Sequence, residues 1–125
     1  MKRIISTPSA PAAIGPYSQA VEANNTLYLS GQIPINPATG VLVEGGIIEQ
    51  TQQVFRNIQA ILDAAGYSVD DVVKSTVYLA DMQYFSEVNA IYKTFYTTTF
   101  PARSAFAIKG LPMGALVEIE TIATK

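Results

Sequence analysis

The chain contains no histidine and no cysteine. Without cysteine there are no disulfides and no thiolate nucleophiles. Without histidine there is no Ser-His-Asp triad, and with both missing the usual zinc sites are excluded. Charge is scarce too: charged residues make up 14% of the chain, and the formal net charge is −2. No basic cluster offers a footprint for a phosphate backbone, so nucleic acid is not an expected partner. No apolar run is long enough for a secretory signal or a membrane span, and the expectation is a soluble, cytoplasmic protein. "NNT" at Asn24–Thr26 matches a glycosylation sequon but reads as a turn. Acid–base chemistry is left to Asp, Glu, Lys, Tyr or water.

What is present is apolar. Hydrophobic residues make up 49% of the 125 positions, enough for one core, and residues 1–125 are read as a single domain. So little charge implies apolar surface hidden between copies of the chain, a homo-oligomer. "TPSAPAAIGP" (7–16) reads as a stiff irregular segment, and "TLYLSGQIP" (26–34) as a strand after a tight turn. In "IIEQTQQVFRNIQAILDAAG" Val54, Ile58, Ile61, Leu62 and Ala65 recur at helical spacing, with Gly66 placed to stop the helix. Phe85, Val88, Tyr92 and Phe95 repeat that spacing between a candidate cap, Asp81, and a terminator, Pro101. "DVVKSTVYLA", "ARSAFAI" and "ALVEIETIAT" read as strands. The order predicts an α+β fold, one mixed, mainly antiparallel sheet with two helices on one face. The uncovered face again points to packing between subunits.

One arginine stands out. In "TFPARSAFAI" Arg103 interrupts a run of apolar and small residues. In "LVEIETIA" alternation puts Glu118 and Glu120 on one face of the last strand. If "KGLPMG" folds the last two strands into an antiparallel pair, Arg103 comes near one of these glutamates. It then either forms an internal ion pair or serves a ligand's carboxylate. Tyr17 follows a Gly-Pro pair that fixes its backbone. Ser30 and Gly31 end a strand, where glycine permits close approach of a ligand or another chain segment. Asn89 lies one position past Val88 in the second helix. "VEGGII" has neither the spacing nor the lysine of a nucleotide-binding loop.

"GPYSQA", "LSGQIPINPATG", "FPARSA" and "VEIETIA", in this order and at these intervals, resemble the hallmark segments of the Rid family, the YjgF-like reactive enamine/imine deaminases. The resemblance runs essentially end to end. It implies a chorismate-mutase-like fold, a homotrimer with its sheets around a central barrel, and ligand clefts between subunits. It implies that Arg103 grips a substrate carboxylate and that Glu118 handles the attacking water. Tyr17, Ser30, Gly31, Asn89 and Ala105 would line the same cleft. Many members carry cysteine two residues after the arginine. Ala105 stands there in this chain, leaving only its backbone to make contact. No cofactor and no metal are implied, and the ligand is a small imino or keto acid.

The chemistry is coherent with these residue types. A 2-imino acid carries a carboxylate beside an electrophilic C=N carbon. Hydrolysis needs the carboxylate held, which a planar guanidinium does bidentately, and a water activated, which a glutamate does. Two other functions compete: a non-catalytic sensor of 2-keto acids using the same arginine, and RNA cleavage, for which no basic stripe exists.

Overall fold

The computed structural model describes all of residues 1–125. Strands β1 (Arg3–Ile5), β2 (Ala20–Ala23) and β3 (Thr26–Gln32) are followed by helix α1 (Ile47–Ala65). Then come β4 (Val72–Leu79), helix α2 (Phe85–Phe95), β5 (Ala102–Ala107) and β6 (Val117–Thr124). The strands form one sheet in the order β1-β2-β3-β6-β4-β5. All neighbours are antiparallel except β4 and β5, which α2 connects as a parallel crossover. The expected α+β architecture is what forms.

Local sequence accounts for the elements. Asn24 and Asn25 both adopt positive φ, 51° and 57°, and close the β2–β3 hairpin in the primed turn that suits strand twist. In α1, Val54, Ile58, Ile61 and Leu62 are fully buried against the sheet, each stabilising the fold by about 1.5–3 kcal/mol. Gly66 ends the helix at φ 80°, in the left-handed region that glycine enters without steric cost. Arg3 and Lys125 supply the positive charge that the last turn of α1 lacks. The guanidinium of Arg3 donates to the Ala65 carbonyl and the Lys125 ammonium to that of Gly66, each at 2.8 Å. No helix is long and apolar enough to cross a membrane.

Two expectations are corrected. The second helix stops at Phe95, well before Pro101. Thr97–Thr99 are β-branched, and Tyr96 leaves the helical conformation with its ring almost wholly buried. Asp81 caps a short 3-10 turn ahead of α2, accepting from the Gln83 amide at 2.8 Å. The last two strands are not a hairpin. β5 is an edge strand beside β4, and the Ile108–Leu116 connection carries the chain past β4 into the slot between β4 and β3. β4 thus stands between Arg103 and the glutamates of β6.

Irregular segments are held by buried amide side chains. Gln19 accepts from the Thr7 amide at 2.7 Å and donates to the carbonyls of Thr7 and Pro11 at 3.0 and 2.8 Å. Asn57, fully buried on α1, donates to the carbonyls of Ile33 and Ile35 at 3.2 and 3.0 Å. Gln50 accepts from the Leu116 amide at 2.8 Å. Substituting Asn57→Leu leaves two carbonyls without a donor, and the expected loss of stability is about 2–3 kcal/mol. Urea unfolding checks this. An unchanged midpoint at unchanged slope would mean that water already serves those carbonyls.

Candidate functional site

Register decides which of the singled-out side chains meet. Ser75 of β4 lies opposite Arg103 on one side and Thr121 on the other. Laterally paired residues share a face, so Arg103 projects to the helix side with Ser75 and Thr121. Tyr78, an odd number of residues further along β4, lies opposite Glu118. Glu118 therefore projects to the open side with Glu120, whose carboxylate accepts from the Tyr78 hydroxyl at 2.8 Å. Within one chain Arg103 and Glu118 are on opposite faces of the sheet.

Arg103 is held by neutral groups of α2. Its Nη1 donates to Asn89 Oδ1 at 2.8 Å. Its guanidinium carbon lies 4.7 Å from the centre of the Tyr92 ring and 5.2 Å from that of Phe85. The chain's one ion pair is Arg3–Glu22, so no carboxylate neutralises Arg103. Two aromatic faces fix the guanidinium plane without consuming its charge. Around it lies an open concavity of about 360 Å³, lined by Asn89, Tyr92, Lys93, Phe100, Pro101 and Arg103. Ala105 projects to the same face two residues on. β5 is an edge strand, so its outer backbone groups are unpaired within the chain. Beneath Arg103 the hydroxyls of Tyr92, Tyr96, Ser75 and Thr121 are buried together. Burial pushes both phenols up, opposed in part by Ser75 at each and by the charge of Arg103 at Tyr92.

Glu118 belongs to a second concavity, about 560 Å³, with Tyr17, Ser30 and Gly31. Ile14, Ile33, Ile35 and Met113 make its walls apolar, and Glu118 is its only carboxylate. β3 bulges between Leu29 and Gln32, and Gly31 lies against Glu118 there, with Ser30 lining the same concavity. A Cβ at Gly31 would overlap Glu118 Oε2 and stand 2.8 Å from Cδ. This close approach is what the glycine is for. The Ser30 hydroxyl donates to the Ser18 carbonyl at 2.6 Å and the Ser30 amide to that of Gln19 at 2.9 Å, joining the bulge to the segment that presents Tyr17. The Tyr17 side chain is exposed.

The seven expected residues thus fall into two groups, Arg103, Asn89 and Ala105 in one, Tyr17, Ser30, Gly31 and Glu118 in the other. The expected nearness of Arg103 and Glu118 within a chain is corrected by the strand order. Sequence reasoning assigned Phe85 and Tyr92 to the core alone. Their positions four before and three after Asn89 place them on its side of α2, and that spacing was the available signal. Lys93, Gln19 and Asn57 were not singled out at all. No group of three or more His, Cys, Asp or Glu side chains is arranged to hold a metal ion.

Burial first, and repulsion from Glu120 second, hold the Glu118 carboxyl above its ordinary value of 4.5. A folded pKa above the unfolded one means that protonation favours the fold. This contribution is complete below the unfolded pKa and is lost as pH rises through the folded one. At neutral pH ionised Glu118 therefore destabilises the protein. Glu118→Gln should melt higher than the parent at pH 7, with the gain vanishing as pH falls below about 4. Equal melting temperatures at both pH values would show a carboxylate that water solvates fully.

Residues 7–125 match the family model described as Endoribonuclease L-PSP. A Mus musculus protein named 2-iminobutanoate/2-iminopropanoate deaminase is 50% identical over 125 residues, covering 100% of this chain and 93% of that one. A Capra hircus protein of the same name is 53% identical over 125 residues, covering 100% and 91%. A crystal structure of a Rid-family protein from Yersinia pestis, described as of unknown function, matches with a TM-score of 0.98 at 52% identity, covering 100% of both chains.

Proposed function

The chain belongs to the Endoribonuclease L-PSP family, the group that includes the Rid proteins, and we propose that it is a hydrolytic deaminase of reactive 2-enamine and 2-imine acids, working as a homotrimer. The observation that carries this is the cradle of Arg103. Its guanidinium is oriented by Asn89, Tyr92 and Phe85 and neutralised by nothing in its own chain. Such a group suits an incoming carboxylate. The names of the mouse and goat relatives support the substrate class.

The reaction follows from the two concavities once a neighbouring subunit brings them together. An enamine acid such as 2-aminoacrylate first tautomerises to its imine. Arg103 of one subunit holds the carboxylate, which fixes the C=N carbon. Glu118 of the next takes a proton from water, and the water oxygen bonds to C2 as the C=N π electrons move to nitrogen. Glu118 returns that proton to nitrogen, giving the neutral carbinolamine. It then takes the hydroxyl proton and delivers it to the amino nitrogen, the C–N bond breaks as the C=O forms, and ammonia leaves. The products are the 2-keto acid and regenerated Glu118. A raised Glu118 pKa suits a group that both takes and returns a proton. Ser30 and Gly31 shape the wall beside the water, and Tyr17 closes the outer edge. The imine is reactive in water, so placement of groups is sufficient and a stronger catalyst is not required.

The family description names an endoribonuclease. A net charge of −2 and the absence of histidine supply neither a backbone footprint nor the usual acid–base pair for that reaction.

Arg103→Lys keeps the charge and loses the fork. With 2-aminoacrylate generated by a dehydratase in the presence of semicarbazide, the parent should divert imine to keto acid. The variant should lose about 100-fold or more in kcat/KM at an unchanged melting temperature. Lost stability with retained turnover would make Arg103 structural. A parent that binds keto acids without turnover would be a sensor.

The shared site has a sharper signature. Arg103→Ala and Glu118→Gln should each be inactive alone. Unfolded together in equal amounts and refolded, they should recover about a quarter of parental activity, since random assembly gives one complete interface in four. No recovery from correctly sized assemblies would place the whole site within one chain.

A further inference from the structure

The Arg103 concavity contains a second cation that the hydrolysis does not use. Lys93 lines it, is exposed, and forms no ion pair or hydrogen bond. It stands one turn beyond Asn89 on α2, about 6 Å along the same face. Asn89 is the residue that fixes Arg103. No acidic side chain lines this concavity, so it presents two positive charges. A monocarboxylate neutralises one of them. In the proposed assembly the opposite wall is the Glu118 concavity, which is lined mainly by apolar groups and carries Glu118 as its one charged side chain. It accepts an alkyl tail and repels an anionic one. A ligand with a second carboxylate therefore has one favourable place for it, beside Lys93.

We infer that Lys93 is a specificity-determining residue that directs the distal carboxylate of a 2-imino or 2-keto dicarboxylate, so that the site accepts acidic as well as alkyl side chains. This rests on the proposal that Arg103 binds the shared carboxylate. The competing account of Lys93 is a charge favourable to the C-terminal end of α2, where it lies. That account predicts a change in stability and none in selectivity.

Two stable ligands of equal carbon number separate the accounts: 2-oxoglutarate and 2-oxopentanoate, which differ by the distal carboxylate. Calorimetry on the assembled parent should show 2-oxoglutarate bound about 3- to 10-fold more tightly at low ionic strength, the preference shrinking as salt approaches 0.5 M. Lys93→Gln should reduce the ratio of the two affinities to one or below, and Lys93→Arg should restore it. An equal ratio in parent and Lys93→Gln overturns the inference and leaves the role of Arg103 standing. So does a change confined to melting temperature. Failure of the parent to bind either ligand removes the carboxylate site itself, and this inference with it.

Discussion

Side chains on a β-strand alternate between its faces, and this two-residue period separates Arg103 from Glu118, the two ionic groups of the proposed chemistry. Counting along β4 from Ser75 to Tyr78 puts Arg103 on the helix side and Glu118 on the open side. No rotamer can bring them together through a layer of backbone. Each is also without a charged partner in its own chain. Two uncompensated charges facing opposite ways are what the proposed site, divided between protomers, requires of each chain. The low charge content and uncovered sheet face accord with the proposed assembly, since both suit surface that meets another copy.

The halves are stiffened in different ways. Arg103 is on an edge strand and depends on α2, which offers an amide oxygen and two rings. The Tyr92 ring is continuous with the aromatic packing around α2, where Phe55 of α1 meets Tyr92 at 5.9 Å and stacks on Phe95 at 4.5 Å, and Tyr92 meets Tyr96 at 4.8 Å. The Glu118 half is bordered by irregular chain, and irregular chain has no ladder to hold it. Its order comes from Gln19 and Asn57, whose amides supply the hydrogen bonds a strand partner would have given. The β3 bulge is then free to set Gly31 under the carboxylate.

Much of this was legible in the residues. The spacing of Val54, Ile58, Ile61 and Leu62 gave α1 and its buried face, and alternation gave the shared face of Glu118 and Glu120. Arg103 stood out because its neighbours were apolar. What could not be read was strand order. A short connection between two strands suggests a hairpin, and nothing local to "KGLPMG" reports that β4 already occupies the place beside β5. The faces of Arg103 and Glu118 follow from that order. Tyr92 illustrates a second limit: an aromatic at core spacing can pack inward and present its ring to a cation at once, and periodicity registers only the first. Gln19 and Asn57 were hidden because a buried amide, whether just ahead of a strand or within a helix, looks in sequence like a solvated one.

The bare guanidinium of Arg103 has a consequence for assembly. In the proposed trimer a carboxylate ligand touches Arg103 of one subunit and the Glu118 wall of the next. It therefore binds the assembled state and not the separated chains. By mass action such a ligand draws protomers together, and dilution of the protein weakens the ligand's apparent affinity in turn. Substrate abundance and subunit association become one coupled equilibrium, with the metabolite acting as a bridge between chains as well as the molecule consumed.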